Sequence, residues 1–230
     1  MTRTERLNKL FAVWKKKHNI NIFMEDGIVS ELQYENVLFI LKDVNNAKPD
    51  DCNDMRVYLT ESTDGGNTWF NVARWVSALL DGKSYDQLEK NIDDKHNGNY
   101  HEFQHEQLSR AAIVNLKKEA GGSSVKDRVI NDYAVKHSSE LLAELEICDP
   151  KIIVVCGLGI FEGAETVFGR VTPIAKTRPD FEMAADWKIG MVVLNNKLVP
   201  VVQFRHPSRG CNAEKSYNDM LKIREYLSLK

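Results

Sequence analysis

Short, uninterrupted apolar runs alternate along this chain with stretches of helical period, and few architectures accept that pattern. Val37-Leu-Phe-Ile-Leu41, Ala111-Ala-Ile-Val-Asn-Leu116 and Lys151-Ile-Ile-Val-Val-Cys156 are too short for core helices and too solidly apolar for strands with one wet face. Strands buried on both faces belong to a parallel sheet with helices on either side. Between them Val72, Trp75, Val76, Leu79 and Leu80 recur at helical spacing from about Asn67, and a long amphipathic stretch runs from about Val125 to Ile147, where Asp149-Pro150 stops it. The alternation predicts an α/β protein, a three-layer α/β/α sandwich around a central, mainly parallel four-stranded sheet.

The remaining segments fill in around that sheet. Leu7, Leu10, Phe11 and Trp14 mark a docked first helix, and residues 21–27 an extended arm ending in an Asp-Gly turn, so residues 1–36 pack onto one domain spanning 1–230. A polar loop covers Asp43 to Gly66, a surface excursion covers 81–99, and a helix near 101–110 feeds the second strand. A short helix ends near Phe168-Gly169. Met191–Leu194 and Leu198–Phe204 form a hairpin or a strand with a turn, and a helix over about 213–228 closes the chain.

Composition narrows the function classes. The 31 basic and 33 acidic side chains give a net charge of −2, so affinity for a polyanion must come from a local patch. No apolar run approaches the roughly 20 residues that cross a bilayer, and the N-terminal helix lacks the hydrophobic core of a signal peptide. The four cysteines, Cys52, Cys148, Cys156 and Cys211, are scattered without a CxxC pair, which predicts reduced thiols, a cytoplasmic protein and no cysteine-held metal or cluster.

Ligands of open parallel sheets bind off the carboxyl ends of the strands. Asp43, Asn115 and His206 stand at three such ends, which predicts that they converge on one crevice. With Leu41-Lys-Asp-Val-Asn45 after the first strand, Ile113-Val-Asn-Leu116 ending the second, Ile152-Val-Val-Cys-Gly157 as the third and His206-Pro-Ser-Arg-Gly210 after the last, residues 37–212 resemble the uracil-DNA glycosylase superfamily. His-Pro-Ser is the distinctive element. Leu41, Val44 and Asn45 stand where that family commonly has Gly, Pro and Tyr, Arg209-Gly210 stands where it often has an apolar wedge, and the cysteine spacing differs from its iron–sulfur branch.

The resemblance implies hydrolysis of an N-glycosidic bond to uracil or another damaged base flipped out of single- or double-stranded DNA, with no cofactor and no metal. That reaction builds positive charge on the sugar and negative charge on the departing base. By resemblance Asp43 orients water and stabilises the sugar cation, and His206 donates a hydrogen bond to the base carbonyl. Asn115 would read the base edge, Trp69 or Phe70 would stack on it, and Ser123, Ser124, Ser208, Arg209 and Lys117 would hold DNA phosphates, with Lys118 adding charge.

Read singly, each residue has a plainer use. Asp43 can cap a turn, Asn115 can tie strand to loop, His206 can pack beside its proline, and Trp69 and Phe70 can line the core. A module that binds nucleic acid or a nucleotide without cleaving it fits the same crevice. A zinc hydrolase is the third possibility, because His101-Glu-Phe-Gln-His105 matches HExxH. Such a site needs a third ligand and a helix that begins well before the first histidine, whereas the segment before His101 is turn-like.

Overall fold

The computed structural model describes residues 1–45, 54–61, 66–121, 125–173, 188–208 and 211–229. Its strands are β1 (Gly27–Ile28), β2 (Val37–Asn45), β3 (Ala111–Gly121), β4 (Ile152–Cys156), β5 (Thr172–Pro173), β6 (Lys188–Leu194) and β7 (Lys197–Phe204). They form one sheet in the order β1-β3-β2-β4-β7-β6-β5. The sheet therefore has seven strands among the described residues, not four. β3, β2, β4 and β7 make a parallel centre, and β1, β6 and β5 add antiparallel edges. The edges escape a hydrophobic-run search because β1 and β5 have two residues each, and Asp26-Gly27, expected as a turn, leads into β1.

Helices cover both faces. Phe39 and Leu41 of β2, Ile113 of β3 and Phe204 of β7 share a core with α3 (Asn67–Asp81), α5 (Tyr100–Ser109) and α9 (Ala213–Tyr226). Leu38 and Ile40 of β2 and Val114 and Leu116 of β3 point the other way, into a core with α1 (Arg3–His18), α6 (Asp127–Lys136), α7 (Ser138–Cys148) and α8 (Phe161–Phe168). Strict alternation along β2 and β3 is what serves the two cores.

Local chemistry sets the element ends. Thr2 and Glu5 form a capping box at α1, and Asn19 ends that helix in the left-handed region. Asn195 and Asn196, both at positive φ, make the tight β6–β7 turn that right-handed strand twist favours. The helix expected over 125–147 is two, broken at His137, whose ψ of 23° leaves the helical range. The excursion over 81–99 holds a helix, α4 (Tyr85–His96), with its own capping box at Ser84 and Gln87. Part of the loop expected over 43–66 is α2 (Met55–Glu61). Cys148, Cys156 and Cys211 are free thiols; Cys52 lies outside the described residues. Among the described residues no helix is long and apolar enough to cross a membrane.

Candidate functional site

The chain leaves β2 toward β3 on one side and leaves β4 toward β7 on the other, so the topological switch point, where sheets of this kind place a ligand, lies between β2 and β4. Register places the residues around it. Ile40 stands beside Val155 and Val155 beside Gln203, so Leu41, Cys156 and Phe204 share one level. Asp43 lies on β2 two residues beyond that level, and His206 follows the end of β7 by two residues, with β4 between the two strands.

Both residues belong to the α3 face. Alternation carries Asp43 to the side of Phe39 and Leu41. The turn holding His206 is tied to α3 by Asn71, whose Nδ2 donates to the Pro207 carbonyl at 2.6 Å. Beneath them Trp75 stacks on Phe39 of β2 at 6.5 Å and meets Phe204 of β7 edge-on at 4.9 Å, so one indole braces both strands. Gly157 closes β4 at φ +133°, a conformation L side chains rarely adopt, and its N–H donates to the Phe204 carbonyl.

The electrostatics of the pair are set locally. Burial pushes the Asp43 carboxyl above the ordinary aspartate range, while Lys117 and Lys42 pull it back. Lys117 is its register partner on β3, and Lys42 is held by the Asp127 carboxylate. Asp43 Oδ2 is buried without a hydrogen-bond partner among the described residues, so this carboxylate carries unspent acceptor capacity. His206 Nδ1 receives the Ser208 backbone N–H at 3.2 Å and lies 2.9 Å from Ser208 Oγ. A nitrogen that accepts bears no proton, so the neutral ring carries its proton on Nε2.

Of the other expected site residues, Ser208 and Lys117 adjoin His206 and Asp43, whereas Asn115 and Phe70 are engaged elsewhere. Asn115 is 2% exposed, and its backbone N–H and Nδ2 both donate to Asp26 Oδ2, at 2.8 and 3.1 Å. Its amide nitrogen is committed to the core. Phe70 is taken up by α5, edge-on to Tyr100 and 5.3 Å from the His101 ring, while Trp69 is half-buried against the α3-side core. Ser208 is exposed, and Lys117 donates to the Glu119 carbonyl at 2.6 Å. Ser123, Ser124 and Arg209 lie outside the described residues.

No protein-family model and no curated protein matches the chain. Among solved structures it is similar to a domain of unknown function (DUF1537) from Bordetella bronchiseptica, crystallised with bound citrate. The identity is 11% and the TM-score 0.34, and the match covers 82% of this chain but 41% of that one. A likeness of that size assigns no activity.

Two further groups of ionisable residues were not legible as clusters in the sequence. Lys118, expected to add charge at the DNA phosphates, is completely buried, with its ammonium against Asp26 and 2.7 Å from Glu144 Oε2, both carboxylates equally buried. Phe11 and Trp14 close the cluster. The signal was available: Lys118 follows Ala112, Val114 and Leu116 in the inward alternation of β3, and an ion at an inward position requires partners.

The second group is His18, His137 and Glu140, the one set of three metal-type donors found among the described residues. Trp14 Nε1 donates to His137 Nδ1 at 3.1 Å, which leaves the proton on Nε2, and Lys17 and His18 share Glu140 Oε1 at 2.6 and 3.0 Å. A protonated nitrogen and an ammonium already on the carboxylate make this a tie between α1 and the α6–α7 junction. Among the described residues the HExxH histidines gather no third ligand. His101 lies in the first turn of α5, its N–H on the cap residue Asn99.

Proposed function

We propose that the chain is a DNA glycosylase-like hydrolase, a cytoplasmic single-domain relative of the uracil-DNA glycosylases that cleaves the N-glycosidic bond of a flipped uracil or other damaged base. The observation carrying this reading is that Asp43, near the carboxyl end of β2, and His206, two residues past the end of β7, follow strands that flank β4 in the sheet. The two groups have opposite chemical character. A desolvated carboxylate with a spare oxygen acts on the sugar, where positive charge grows as the C–N bond stretches. It also orients the water that attacks the anomeric carbon. A ring N–H, fixed on Nε2 by Ser208, donates to the base carbonyl as the base leaves with the bonding electrons. Hydrolysis by this pair requires no cofactor.

Oligonucleotides containing uracil, hypoxanthine or xanthine, single- and double-stranded, test the assignment after alkaline cleavage of abasic sites. Scission by the wild type that falls at least about a hundredfold in Asp43→Asn and in His206→Ala supports it. Binding without scission on every base overturns it in favour of the non-cleaving module. The observation favouring that module is the commitment of the Asn115 amide to Asp26, which removes one base-reading group from the crevice.

A further inference from the structure

Asn71 takes no part in the proposed chemistry, yet it is 5% exposed and joins positions 136 residues apart. Pro207 has no backbone N–H, so its own amide cannot anchor the His206-Pro207-Ser208 turn. Its carbonyl is the remaining handle, and Asn71 Nδ2 holds it. Asn71 and Trp75 are one helical turn apart on α3. Trp75 lies between Phe39 and Phe204 and donates from Nε1 to Ser216 Oγ on α9 at 3.0 Å. The helix that grips the histidine turn is thus the helix that rests on the Asp43 strand.

We infer that Asn71 is a positioning residue for His206: through the Pro207 carbonyl it sets where the ring N–H stands relative to Asp43. The inference rests on the glycosylase reading of that pair. A buried amide that served stability alone would give the same contact, so the test must separate fixing a turn from holding a fold.

Asn71→Leu keeps the size and removes the donor; Asn71→Asp keeps the shape and sets an acceptor against the carbonyl, and it replaces the leucine variant if that variant does not fold. The expected result is a kcat about a hundredfold lower with KM unchanged, the signature of a misplaced reacting group. In the His206→Ala background the same substitution should cost nothing more, because Asn71 acts only through the histidine. Losses that multiply in the double variant overturn the proposal. If the wild type cleaves no oligonucleotide, the reading of the function fails by itself, and hydrogen exchange at the Ser208 amide, which donates to His206 Nδ1, still decides the role of Asn71. Faster exchange there with α3 core amides unchanged supports positioning; unchanged exchange at Ser208 overturns it.

Discussion

Replacing Lys118 with Met isolates the buried ion cluster. The ammonium, Asp26 and Glu144 have no solvent exposure, so its removal leaves two buried carboxylates beside Phe11 and Trp14 without the ammonium between them. Breaking one side of a fully buried ion group costs about 3–5 kcal/mol. Partial relief is built in. Burial already pushes the Glu144 carboxyl well above its ordinary range, with Lys118 opposing and Asp26 reinforcing the rise. Asp26 keeps the Asn115 N–H and Nδ2 as donors.

For a chain of this size each kcal/mol moves Tm by about 2–4 °C, so Lys118→Met should melt about 6–20 °C lower at pH 7. The sign of the pH dependence follows from the proton count. Buried and without its cation, Glu144 binds its proton more tightly folded than unfolded, so stability falls as pH rises above the ordinary glutamate value of 4.5. The deficit should therefore shrink between pH 7 and pH 5. Adding Asp26→Asn and Glu144→Gln to Lys118→Met should restore most of the loss, since a neutral cluster has no ion to desolvate. A Tm shift under about 2 °C, or a deficit independent of pH, refutes the idea of a desolvated, charge-compensated cluster.

Wild-type stability should fall on acidification in two stages. His137, lowered to about 4 by burial and by the neighbouring His18 and Lys136 charges, contributes stability that is present above pH 6.5 and lost toward pH 4. Burial raises the Glu140 carboxyl, but hydrogen bonds from Lys17, His18 and Ser139 outweigh it and hold it at about 2, so its contribution is lost between about pH 4.5 and 2. A Tm flat from pH 7 to 4 contradicts the His137 assignment. Asp43→Asn should melt no lower than the wild type, because it removes a half-buried carboxylate with an unpartnered oxygen, and the acid limb of wild-type cleavage should lie above the ordinary aspartate value. His101→Ala with His105→Ala should leave both cleavage and zinc content unchanged; about one equivalent of zinc lost from the variant, measured by elemental analysis, would reinstate the HExxH reading.

Legibility followed the range of the interaction. The parallel centre of the sheet could be read because burial on both faces writes itself into consecutive residues of β2, β3 and β4. The edges β1 and β5 could not, because two residues of backbone pairing leave no pattern in side chains. The break at His137 is invisible to periodicity, since both halves keep an apolar face and the interruption is held by Trp14 from a distant helix.

Side-chain commitments separated the two levels most sharply. Asn115 and Phe70 stand where sequence order puts a base-reading amide and a stacking ring, yet Asp26 and Tyr100 had claimed them. Lys118 looked like one more charge for the DNA phosphates until three elements closed around it. The sequence by itself determined which residue types arrive at the ends of the strands, because local propensity and hydrophobic alternation act over a few neighbours. Only the tertiary structure decided which of those groups remain available to a ligand, because hydrogen bonds and desolvation depend on partners far apart in the chain, as Asn115 and Asp26 are, 89 residues from one another.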